Sequence, residues 1–127
     1  MQEIKKATVK VPQSYLDFMN QIFEIEKKTT NLEEDNSIQR NLNKIKGILE
    51  EEFFKGDQVI GFTYHNPLGE TYSDTRTDCE ATIAGNDVNN LEIIEVIKPI
   101  IFCSYRDNGL ISKIIVQQAI VIVQSKN

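Results

Sequence analysis

The chain has 127 residues, of which 40% are hydrophobic and 26% charged, and its formal net charge is −5. That length holds one compact core, or a small core plus an extended helical element. The acidic balance argues against nucleic acid or an anionic membrane as the main partner, because both are polyanions.

Residues 1–12 read as an N-terminal arm. Its alternating segment Ala7-Thr8-Val9-Lys10-Val11 is stopped by Pro12 and can add an edge strand or stay loosely held. The first residues, MQEIKKATVKVPQ, lack the apolar core of a secretory signal, and no apolar run is long enough for a membrane span. Cys79 and Cys103 form no Cys-x-x-Cys pair. The expectation is a cytoplasmic protein with two packed, reduced thiols.

Residues 13–56 are predicted helical, with Ser14 as N-cap and Gly56 as C-cap. Tyr15, Phe18, Ile22 and Ile25 recur at spacings of three and four, as one face of a helix requires. A second stripe, Ile38, Leu42, Ile45, Leu49 and Phe53, follows at near-heptad spacing. Between them lies the polar stretch KKTTNLEEDNS, in which Thr30-x-x-Glu33 fits a capping box. The region is therefore one long helix with a stutter or two helices with a break. Its apolar stripe has to be buried, either on the chain's own sheet or against a second copy. The near-heptad spacing favours the second arrangement: a homodimer through Ile38, Leu42, Ile45, Leu49 and Phe53.

Residues 57–127 are predicted to form a small β-domain. A strand over 57–65 contains Gly61, which signals a bulge or a close backbone approach. Asn66-Pro67-Leu68-Gly69 is turn chemistry, and residues 70–78 read as a polar loop. Strands follow over 79–84 and 91–98, separated by a polar turn through Asn90. Pro99 demands an edge position or a bulge. Two apolar runs within Leu91–Gln124 are joined at Asp107-Asn108-Gly109, a strong hairpin signal because Asn and Gly tolerate positive φ. The returning run lacks strict alternation, so both of its faces should be covered, by the domain's own core or by a partner. Helices followed by strands imply α+β: an amphipathic helix or helix pair, then a small all-β domain ending in a long hairpin.

No catalytic motif stands out. His65, with Asp74, Asp78, Cys79 and Glu80, matches no metal-ligand spacing, and a solvated loop with Arg76 paired to a carboxylate explains these residues more simply. The chain lacks a phosphate-binding glycine loop and implies no cofactor. The aromatics Phe53, Phe54, Phe62, Tyr64 and Tyr72 should fill the junction between helices and sheet, or form a partner patch.

The order of parts, a helical region, a helix stop and a β-domain with an apolar last strand, resembles the GrpE family. Asp78-Cys79-Glu80-Ala81 is similar to that family's His-Glu-Ala stretch, with Cys79 in the histidine position. The run Leu91–Ile97 is similar to its Val-x-Glu-Val strand, and Ala119-Ile120-Val121-Ile122-Val123 to its final strand. Ile100-Ile101 and Gln117-Gln118 depart from the family pattern, and the hairpin is longer. The resemblance implies a non-enzymatic dimeric co-chaperone that speeds ADP release from the nucleotide-binding domain of a DnaK-type chaperone. The contact surface expected on the β-domain is Glu70, Tyr72, Arg76 and Glu80 together with the hairpin-tip residues Tyr105, Arg106 and Asn108. A small dimeric adaptor or scaffold that binds another protein through its β-domain is the alternative.

Overall fold

The computed structural model describes residues 11–30, 37–51 and 58–127. The arm's residues 1–10, the capping box at Thr30–Glu33, Phe53, Phe54 and the Gly56 cap lie wholly or partly outside these residues. Two helices, α1 (Gln13–Thr29) and α2 (Ser37–Glu51), precede seven strands. The strands are β1 (Val59–His65), β2 (Thr71–Tyr72), β3 (Cys79–Ala84), β4 (Leu91–Lys98), β5 (Ile100–Asp107), β6 (Leu110–Gln117) and β7 (Ala119–Ser125). The α+β class is as expected, and the helical region consists of two helices. Ser14 does not cap α1. Pro12 holds the N-cap position, its carbonyl accepting from Tyr15 N at 3.0 Å.

The long hairpin organises everything else. Its turn has Asn108 at φ 50° and Gly109 at φ 81°, the two positive values that a type I′ turn needs. Near the turn β5 pairs with β6; further back β4 pairs with β7. Each long arm changes sheet midway, one at Pro99 and the other at Gln118. One three-stranded sheet has the order β1-β5-β6, and one four-stranded sheet the order β2-β4-β7-β3. Pro99 thus marks a corner between sheets, a place where a missing N–H breaks no ladder. Gln117 Nε2 donates to Pro99 O at 3.0 Å and ties the two arms there.

The four-stranded sheet carries two features that local pattern does not reveal. β3 runs parallel to β7, with Cys79 opposite Ala119 and Ile83 opposite Val123. In β4 the register shifts between Ile93 and Glu95 and again between Val96 and Lys98. Ile94 and Ile97 are the extra residues, and both are exposed.

The helices pack on this bent hairpin. Phe23 of α1 enters the core of the four-stranded sheet with Ile93, Val96, Ile100, Val121 and Val123. Met19 and Ile22 join Leu42 and Leu49 of α2 over Phe62, Ile101 and Cys103 of the three-stranded sheet. α1 is pinned to the corner by a reciprocal amide pair, Asn20 with Gln117 at 2.9–3.0 Å, and by Lys27 Nζ donating to Val96 O at 3.0 Å. α2 runs against β1, where its carbonyls at Leu49 and Glu50 press on Gly61. Both readings of Gly61 hold, since the β1–β5 register also shifts between Val59 and Gly61.

The expected two-copy seam is therefore corrected in part. Leu42 and Leu49 are each only 4% exposed within the chain's own core, so they cannot face a second copy in this arrangement. Ile38 and Ile45 do remain exposed, while Phe53 lies outside the described residues. The physical reason is the corner: bending the hairpin makes a concave face that takes the helices' apolar stripes. Both cysteines are free and buried. Among the described residues no helix is long and apolar enough to cross a membrane.

Candidate functional site: a groove at the open end of the four-stranded sheet

The far end of the four-stranded sheet, away from the corner, is not covered by the described parts of either helix. A groove of about 550 Å³ lies there, within the range of ligand sites. Ala81 and Ile83 of β3 form one wall. Tyr72 of β2 with Ser73 and Asp74 beyond it forms the other, and Val88, Asn89 and Asn90 close the end over Leu91 of β4. Alternation places Cys79, Ala81 and Ile83 on the inward side of β3, beside Ala119, Val121 and Val123. Cys79 is sealed in the core and Ala81 is half-buried, whereas Ile83 is 40% and Val88 64% exposed. The site thus has an apolar lining and a neutral polar rim, with Asp74 as its charge.

The wall at residues 70–78 is a braced loop. Arg76 Nε donates to Asp78 Oδ1 at 2.9 Å and Nη2 to Asp78 Oδ2 at 3.0 Å, a bidentate pair. Nη2 also reaches Glu70 Oε1 at 3.1 Å, and Nη1 reaches Thr71 O at 3.0 Å. Glu70 Oε2 meets His65 Nε2, extending the chain to four side chains. The Arg76 hydrogen bond holds the Asp78 carboxyl below the usual carboxylate range. Burial pushes the neighbouring Cys79 thiol up to about 11, which disfavours the nucleophilic thiolate. Two backbone-directed bonds seat the loop on the corner: Gln118 Nε2 to Thr77 O at 2.7 Å and Ala119 N to Asp78 O at 2.9 Å.

The expected contact residues fall in four places. Tyr72 lines the groove, and Glu70 and Arg76 brace its wall. Glu80 is exposed on the opposite side of β3, because Cys79 and Ala81 on either side of it point inward. Arg106 and Asn108 are exposed at the hairpin tip, at the other end of the bent hairpin from Leu91. Tyr105 is corrected: it is 7% exposed and faces the interior. His65, Asp74, Asp78, Cys79 and Glu80 do not come together as a metal site, since no group of three or more such side chains among the described residues has that arrangement. The residues that sequence reading missed are Ala81, Ile83, Val88, Asn89, Asn90 and Leu91. Their one local signal is Val88, an apolar residue alone within the polar turn 85–90.

No protein-family model matches the sequence, and neither a curated protein nor a solved structure matches it.

Proposed function

We propose that the chain is a non-catalytic binding module that takes an apolar segment of a protein partner into the groove between Tyr72 and Ile83. The observation that carries this reading is the exposure of Ile83 and Val88 at the mouth of a concave, braced site. Fully burying such a side chain is worth about 1.5–3 kcal/mol, an upper bound here because part of each is already covered. The groove wall is held by charge-assisted bonds, which lowers the ordering cost on binding. This is the adaptor reading of the β-domain, with the contact placed on residues 71–74, 81–83 and 88–91.

The exchange-factor reading implied by the resemblance to GrpE needs a handle made of two helical regions. With Leu42 and Leu49 engaged within the chain, that reading rests on the exposed Glu80, Arg106 and Asn108. Stopped-flow release of a fluorescent ADP analogue from a DnaK-type chaperone of the same genome tests it, and unchanged release ends it.

The groove reading is tested by selecting peptides from a random library on the wild-type chain. Ile83→Ser with Val88→Ser should weaken the selected peptides by about 5- to 30-fold, as loss of about 1–2 kcal/mol implies. Ile111→Ser on β6, which is 71% exposed and remote from the groove, should leave them unchanged. Peptides that bind both variants alike would refute the assignment.

A further inference from the structure

The groove's occupant has a chemistry that its rim specifies. Asp74 is exposed on the rim, and no cation pairs with it among the described residues. Arg76, the basic residue nearest it in sequence, has its guanidinium committed to Glu70, Asp78 and Thr71 O. At the closed end, Asp87 precedes the lining residue Val88 without itself lining the groove. Its carboxylate accepts from Asn89 N at 2.9 Å and from Asn127 Nδ2 at 3.4 Å, both neutral donors, so its charge is not cancelled. A cation held near that end is Lys126, whose amide donates to Asn90 O at 3.0 Å; its ammonium pairs with neither aspartate among the described residues. The remaining polar lining, Thr71, Ser73, Asn89 and Asn90, is uncharged. The chain's net charge of −5 adds a field of the same sign.

We infer that the groove takes a short protein segment in which an apolar side chain is flanked by lysine or arginine. The apolar side chain lies between Tyr72 and Ile83, and the flanking cations reach Asp74 on the wall and Asp87 beside Val88 at the closed end. Lysine and arginine suit the mouth because their methylene stems can lie along Val88 while their charged heads stay in water. The inference rests on the groove reading above and adds the sign of the partner's charge to it.

Three labelled peptides with one apolar centre, flanked by lysine, by serine or by glutamate, separate the possibilities. Affinities come from fluorescence anisotropy, and contact sites from amide shift changes of the labelled full chain. The lysine peptide should bind tightest and the glutamate peptide weakest. At low salt they should differ by about ten-fold, since an exposed ion pair is worth up to a factor of about five and two are formed. High salt should compress the difference. Asp74→Asn should reduce it to about three-fold while the serine peptide keeps its wild-type affinity. Equal affinities for all three peptides, with shifts centred on residues 71–74, 81–83 and 88–91, would overturn the charge preference and leave the groove reading standing. Shifts elsewhere, or no binding by any of the three, would overturn both.

Discussion

A methyl group on Gly61 would overlap the carbonyl oxygens of Leu49 and Glu50. Those atoms are helix backbone and cannot turn aside as a flexible side chain would. Gly61→Ala should therefore destabilise the chain by about 1–3 kcal/mol, measured as a lower urea midpoint with unchanged slope. A second residue-scale constraint joins three elements. Glu26 of α1 accepts from Lys46 Nζ of α2 at 3.1 Å and from Tyr64 Oη of β1 at 3.0 Å. Lys46 also lies 5.0 Å from the Tyr64 ring centroid. Burial alone would raise the Glu26 carboxyl, but the bonds from Lys46, Tyr64 and Gln39 outweigh it and hold it below the ordinary value. A carboxyl depressed in the folded state leaves the unfolded chain binding more protons in acid. Its stabilising effect is present above the unfolded value and is lost as pH falls through the folded one. Glu26→Gln should lower the melting temperature at neutral pH and flatten its decline below the ordinary carboxylate range; an unchanged acid limb would count against this clamp.

At the element scale, α2 divides its apolar residues between two surroundings. Leu42 and Leu49 are in the core, while Ile38, Ile45 and Ile48 are 43%, 39% and 41% exposed. Leu42→Ala should cost about 2–4 kcal/mol at any protein concentration, because it opens a cavity inside one chain. Ile45→Ser should change stability by no more than about 0.5 kcal/mol if that flank faces water. A concentration-dependent melting temperature that this substitution abolishes would instead show a second copy covering the flank, which sedimentation would register directly. The hairpin divides itself in the same way. The corner at Pro99 and Gln118 lets one hairpin supply the central pair β4-β7 of one sheet and the central β5 with the edge β6 of the other.

At the scale of the whole molecule, the corner decides which surfaces the helices cover. α1 packs Met19, Ile22 and Phe23 against both sheets, and among the described residues the groove at the far end of the four-stranded sheet stays open. The loop from β2 to β3 stands over that opening because Arg76 holds it to Glu70 and Asp78. Arg76→Ala should release the loop with a modest stability loss of about 1 kcal/mol, since these groups are partly exposed. Faster amide exchange over 73–78 with the rest of the domain unaltered would report it. Loss of protection throughout would mean that Arg76 supports the whole fold.

Short-range chemistry was readable from the chain alone. The I′ turn at Asn108-Gly109, the strands over 79–84 and 91–98 and the amphipathic helices all depend on residues close in sequence. So does the pairing of Arg76 with a nearby carboxylate. Gly61, by contrast, signals a close approach or bulge whose partners lie on α2 and β5. Which partner buries the helical stripe was not local: Leu42 and Ile45 read alike as heptad positions, and only the concave corner places one inside and the other outside. The parallel approach of β3 to β7, the inward side of Tyr105 and the groove itself have the same origin. Each is made by residues tens of positions apart, brought together when Pro99 and Gln118 turn one hairpin into two sheets. Periodicity records which residues seek burial, but the geometry of the bend decides what buries them and what stays open.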